Sequence, residues 1–270
     1  MMRIRDSAAI AAIAVALLAT LWVPAAAQRT RDRPTLIFTV SGAYLDGVGL
    51  WTVPDQPVAD LSGPAPLVDH FFLSRSVKRT FGAGFSGTYY RGRHLGLTAE
   101  AFLLGLGYDD SCRLVAPAQS TLNVQRCNSI QDKERSAAAV ATSVGAIYRV
   151  ASDEFISPFV RASVGFLINN QSPLLVIGEA GQAELVIYDD NNKGTRLRAA
   201  FGLGVGATIA AGRGYQIRWE IRDNIVGIQR VTGATDARGV VPPHETAYKH
   251  ILGLNVGLDV ILERQRGRRY

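Results

Sequence analysis

Four histidines, two cysteines and one glycine run are the residues of this chain whose chemistry calls for a first test. Gly202-Leu-Gly204-Val-Gly206-Ala207 matches G-x-G-x-x-[GA], the pattern that lets a backbone approach a dinucleotide pyrophosphate. That fingerprint needs a strand before it and a helix opening inside it. Here Leu197, Ala199, Phe201, Leu203, Val205, Ala207 and Ile209 alternate with Arg196, Arg198, Ala200, Gly202, Gly204, Gly206 and Thr208, straight through the motif. The run therefore reads as a long two-faced strand, and no cofactor is expected. His70, His94, His244 and His250 fall in four separate segments, so their spacing gives no metal cluster. Lipid hydrolysis or transfer needs a nucleophile beside a base. No histidine lies two residues from a serine, and His244-Glu245-Thr246 is a weak substitute, so no catalytic residues are assigned.

Cys112 and Cys127 are an even pair, and the start of the chain suggests the compartment that would join them. Arg3 and Arg5 precede the apolar run from Ser7 to Val23, which ends in Pro24 and Ala25-Ala26-Ala27. That is the pattern of a secretory signal peptide spanning residues 1–27. An exported chain enters an oxidising compartment, where a Cys112–Cys127 disulfide is expected. No later stretch approaches the ~20 apolar residues of a transmembrane helix.

The net charge of +6 resembles a nucleic-acid signal only until it is located. The basic segment 28–34 holds Arg29, Arg31 and Arg33 against Asp32. The basic segment 263–270 holds Arg264, Arg266, Arg268 and Arg269 against Glu263. With the signal peptide removed, these two tails account for the whole excess, and the body between them is neutral. A neutral body argues against a nucleic-acid partner. Basic tails suit either solvent or anionic lipid headgroups.

Period-two alternation dominates residues 35–262. Besides the glycine strand, it marks stretches led by Leu36, Phe81, Leu95, Val140, Val160, Tyr215 and Leu252, making eight strands. The connections run long, short, long, short, long, short, long. The long ones are Gly47 to about Val77, about Asp109 to Lys133 with both cysteines, about Asn170 to Gly194, and about Arg230 to Glu245. The short ones are Arg91 to His94, Ala151 to Phe155, and Ala211 to Gly214. The third long connection contains Leu174–Ile177 and Glu184–Tyr188 around Gly178–Gln182, which reads as a hairpin. This order is that of an all-β, eight-stranded antiparallel up-and-down barrel, and short turns opposite long loops are the habit of outer-membrane barrels.

Alternation alone leaves open which face is wet. The polar face is mostly Gly, Ala, Ser and Thr, whereas a soluble surface would be richer in Lys and Glu. Small residues suit the confined interior of an eight-stranded barrel. Tyr44, Tyr89, Tyr148, Tyr215 and Tyr248 fall on the apolar face near strand ends, as an aromatic girdle would. The expected fold is therefore a transmembrane barrel with its apolar face outward. Glu100, Arg161, Arg218, Glu220, Arg222 and Asp259 then point inward, and counting from the short-turn end puts all six in one belt. Charges in a narrow lumen should be paired, so a network plugging the barrel is expected. Arg196 and Arg198 fall near the outer rim, where hydration is expected.

The whole of this pattern, and the last strand "HILGLNVGLDVIL" at residues 250–262 in particular, resembles the small eight-stranded outer-membrane barrels of Gram-negative bacteria, of the OmpA-transmembrane, OmpX and OmpW type. The resemblance implies outer-membrane lipids and the barrel-assembly machinery as partners, the latter reading the final strand through a terminal aromatic. This chain departs there: the strand ends at Leu262 and continues as ERQRGRRY, so Tyr270 stands beyond a basic spacer. The resemblance implies location more than activity. The expected function is a non-enzymatic outer-membrane protein whose four long loops serve envelope structure, adhesion or binding of a surface ligand. The alternatives are a narrow channel for small or apolar solutes, a lipid-modifying enzyme, or a soluble lipocalin-like carrier.

Overall fold

The computed structural model describes residues 34–262 apart from 106, 133–134, 137, 152–153, 170–171, 191–196, 213 and 238–239. The signal peptide, most of the first basic tail, the whole second tail with Tyr270, and Arg196 lie outside the described residues. Eight strands close a barrel: β1 (Thr35–Leu45), β4 (Thr80–Tyr90), β5 (Leu95–Leu104), β8 (Ala139–Arg149), β9 (Ile156–Asn169), β12 (Leu197–Gly212), β13 (Tyr215–Val231) and β14 (His244–Leu262). Each pairs antiparallel with its sequence neighbour in the barrel, and β1 closes on β14 through Leu36↔Leu262 to Leu45↔Gly253. Closure leaves no barrel edge unpaired. The β12–β13 turn is tight enough to need Gly214 at φ 84°, a conformation other residues rarely adopt.

The first two long connections are not loops, and here the structure corrects the sequence reading. Residues 48–77 form a hairpin of β2 (Val48–Asp60) and β3 (Leu67–Val77). It is extended by β6 (Gly107–Leu114) and β7 (Arg135–Ser136) into a four-stranded sheet, order β2-β3-β6-β7. Pro54 and Pro57 are tolerated in a strand because β2 is the sheet edge and bulges between Val53 and Gln56, where a missing ladder donor costs little. Between β6 and β7 lies the helix α1 (Thr121–Asp132), capped by Ser120, whose Oγ accepts from Asn123 N at 3.3 Å. The third connection holds β10 (Val176–Ala180) and β11 (Ala183–Tyr188), the hairpin read from the sequence. In the fourth, β13 and β14 continue their ladder as far as Val231↔His244, so the true connection is shorter than the sequence suggests.

These pieces pack into one lobe on the long-loop end. Its apolar core joins Trp51, Phe71, Leu73, Leu174 and Tyr188 of the lobe to Leu45, Leu167, Ile228 and Ile251 of the barrel. The Cys112–Cys127 disulfide ties β6 to α1, with a Cα–Cα distance of 5.3 Å. Arg75, fully buried, holds the centre. It forms an ion pair with Asp110 (2.5 Å), donates to the Leu175 carbonyl (2.7 Å), and stacks between Trp51 and Tyr108 at 5.5 and 5.3 Å. One cation thereby links β3, β6 and the third connection.

Candidate functional site

The glycine strand faces the lumen, and its neighbours explain the glycines. A Cβ on Gly204 would stand 2.2 Å from Glu220 Oε1, one on Gly202 2.6 Å from Ser163 Oγ, and one on Gly206 2.1 Å from the Trp219 carbonyl. The register sets Gly204 opposite Arg222 and Gly206 opposite Glu220 on β13. β13 spends its inward positions on long charged side chains, and β12 answers with hydrogens. Neither strand fits the lumen without the other.

All six charged residues read as inward-facing are brought into the lumen, in two clusters. In the first, Arg222 reaches Glu100 (2.5 Å) and Glu220 (2.8 Å), and Arg161 reaches Glu100 (2.9 Å) and, more loosely, Glu220 (3.8 Å). In the second, Arg218 donates to Asp259 at 3.0 Å, while Thr39 donates to the other Asp259 oxygen at 2.8 Å. The side chains are buried, Asp259 completely and Glu220 to 1 % exposure. Three guanidiniums meet three carboxylates, so the belt is electrically balanced, as a low-dielectric site demands. The gap shared by the two clusters has a cavity volume of about 10 Å³, room for no more than one water.

Above the belt the lumen widens into an apolar chamber with a cavity volume of about 90 Å³. Phe102, Leu104, Leu167, Ile228 and Ile251 line its walls; Glu100 and Arg222 lie at its floor; and Val77 and Tyr108 of the lobe reach its roof. Arg198, read as a hydrated rim residue, is half-buried and lines this chamber. Below the belt, Arg149 is buried with its guanidinium 4.1 Å from the Tyr90 ring. Sequence reasoning missed Arg149, Arg75 and Asp110. Arg149 stands at a strand end and the others in stretches read as loop, where alternation carries no inward or outward sign.

No family model matches this chain, and no curated protein matches it. Its likeness to solved structures is one of shape. The outer membrane protein OprG from Pseudomonas aeruginosa superposes with a TM-score of 0.50 at 10% identity, over 86% of this chain and 97% of that one. This chain has the fold of the small outer-membrane barrels. Neisserial surface protein A (TM-score 0.43, 9% identity, 85% of this chain and 99% of that one) and the outer membrane protein AlkL (0.42, 13%, 89% and 95%) are further structures of this kind.

On the outer-membrane barrel, outward side chains form the apolar face. Tyr44 and Tyr248 stand toward the long-loop end, and Tyr89, Tyr148 and Tyr215 toward the short-turn end. Four of the five are exposed; Tyr148 is half-buried and stacks on His94 at 5.8 Å. His94, read as a hydrated turn residue, also contacts the Arg149 carbonyl through Nδ1 at 2.9 Å. His70 pairs with Asp55 (2.5 Å) on the lobe, and His250 with Asp223 (2.7 Å) on the outward face of β13–β14. His244 contacts the Pro242 carbonyl at 3.0 Å. Among the described residues no group of three metal-ligating side chains occurs.

Proposed function

We propose that this is a closed, non-conducting outer-membrane barrel that holds a rigid lobe at the cell surface, where the lobe serves envelope structure or surface interaction. The observation that carries the reading is the belt: six paired charges leave a gap of only about 10 Å³ across the lumen. A pore would need a continuous water path, and this lumen is filled with side chains. The lobe fits the second half of the reading. Sheet, helix, disulfide and buried Arg75 make a fixed surface rather than a set of mobile loops. A non-catalytic role accords with the two histidine–carboxylate pairs, which lie on exposed surfaces rather than in a water-excluding cleft. The test is conductance of the refolded protein in a planar bilayer. Silence is expected; steady, high ion conductance would overturn the closed-barrel reading.

The chamber favours a second reading, a passage or holding site for small apolar solutes. Size weighs against it. Pockets that bind drug-sized ligands measure ~300–1,000 Å³, and this chamber measures about 90 Å³ beneath a lid packed on its rim. Retention of a small alkane by the refolded barrel, lost on Ala200→Phe, would restore this reading.

A further inference from the structure

Two arginines line the chamber above the belt, and only one of them is paired. Arg222 at the floor is spent on Glu100 and Glu220. Glu100 is held in turn by Arg222 and Arg161, so the floor offers a ligand no free charge. Arg198, higher on β12, forms no ion pair with any carboxylate among the described residues, and its Nε is buried without an acceptor. Asp190 acts on Arg198 only from farther off and accepts from Ser172 Oγ at 2.8 Å. A buried charged donor left without an acceptor is costly, and native proteins seldom leave one so.

A second donor comes from the lobe. Arg198 stands opposite Leu167 in the β9–β12 register, which makes Asn169, two residues along β9, its diagonal neighbour. Asn169 Nδ2 donates to the Tyr108 hydroxyl at 3.1 Å. Tyr108 is buried and reaches the chamber from β6. Its oxygen is already accepting, and its proton meets no acceptor among the described residues. Three further chamber-lining polar atoms have no partner: two donors, Arg198 Nε and Asn255 Nδ2, and one acceptor, Asn169 Oδ1. Unmet donors therefore outnumber unmet acceptors, and the remaining wall is apolar. That combination suits a ligand with anionic oxygens at one end and hydrocarbon at the other. A carboxylate matches the planar fork of a guanidinium. Volume sets the length: an apolar cavity of ~150 Å³ holds the six carbons of benzene, so about 90 Å³ holds about four non-hydrogen atoms. Acetate has four and propionate five.

We propose that the chamber is a binding site for a short carboxylate of the acetate–propionate size, its oxygens held by Arg198 and Tyr108 and its carbon end set against Phe102 and Leu167. The proposal is separate from the question of conductance, because the belt lies below the chamber and the anion needs access only from the long-loop end. The refolded full chain, in lipid nanodiscs, is titrated into ¹³C-labelled acetate, propionate and the neutral isostere acetamide, with empty nanodiscs as the baseline. Line broadening of each probe reports binding. Acetate and propionate should broaden, and acetamide should not. Arg198→Gln should weaken acetate binding about tenfold, the worth of one hydrogen bond to a charged group. Tyr108→Phe, which removes only the hydroxyl, should weaken it about fivefold, as for a neutral hydrogen bond. A heat-induced shift on a semi-native gel checks that each variant is folded; if Arg198→Gln is not, Tyr108→Phe decides. No broadening of acetate by the native chain overturns the proposal. So does equal broadening of acetamide, or an acetate affinity unchanged in the folded variants.

Discussion

Gly204 and Glu220 show how one residue's size makes room for another's charge. The carboxylate occupies the space a Cβ on Gly204 would need, 2.2 Å away; Arg222 donates to both its oxygens, at 2.8 and 3.0 Å, and Arg161 approaches one of them at 3.8 Å. Gly204→Ala is expected to cost about 1–3 kcal/mol by overpacking, read as a lower urea midpoint of the refolded barrel. An unchanged midpoint would mean the lumen has slack. Removing one belt partner should cost more: Glu100→Gln leaves Arg222 and Arg161 short of a counter-charge, at about 3–5 kcal/mol. Replacing Glu100 and Arg222 together by leucine should recover most of that loss, because the cost lies in the orphaned charge. Asp60 in the lobe titrates in the opposite sense to a burdened acid. A hydrogen bond from Ser120 Oγ and one from Ser62 N (3.0 Å) hold its carboxyl down to about 2. A folded-state pKa below the unfolded ~3.9 means this contribution is complete above about pH 4 and is lost as pH falls toward 2. The stability gap between the native protein and Asp60→Asn should therefore close between pH 4 and 2, and a gap that persists at pH 2 would refute this assignment.

At the scale of elements, the lobe depends on cross-links between pieces too short to fold alone. The disulfide closes a loop with a sequence separation of 15, for which chain entropy suggests about 3 kcal/mol. Both sulfurs are buried, at 5 % and 3 % exposure. Cys112→Ser with Cys127→Ser should loosen α1 and β6, seen as faster amide exchange there, while exchange in β12–β14 stays slow. Loss of protection throughout the barrel would show that lobe and barrel are one cooperative unit. Asp69 works beside the disulfide, accepting from Gln119 N (2.6 Å), Ser120 N (3.1 Å) and Asn123 Nδ2 (2.9 Å), so that the start of α1 is fastened to β3. Alternation in β13 and β14 is readable because Tyr215–Arg222 and Ile251–Asp259 turn every second residue inward. β2 is not readable, since two prolines and two bulges interrupt its period. α1 (TLNVQRCNSIQD) is largely polar, and only its Ser120 cap marks it.

At the scale of the whole molecule, the belt fills the middle of the lumen and the lobe packs on its upper rim. The barrel should migrate faster on a semi-native gel before boiling than after, since a closed hydrogen-bonded sheet resists detergent. Identical migration would contradict a closed barrel. The lobe core runs without a break into the upper lumen, so lobe and barrel wall are mechanically joined.

The sequence by itself determined the eight barrel strands, the outward apolar face, the identity of the six inward charges and the hairpin in the third connection. Each follows from a local rule: period two, residue size, or turn length. Only the tertiary structure decided which charges meet, since Arg222 and Glu100 are 122 residues apart and join through the barrel's closure. It alone showed that the long connections fold into a sheet and a helix. Their stability comes from contacts such as Arg75 with Asp110 and Leu175, far apart in the chain and without any period to announce them.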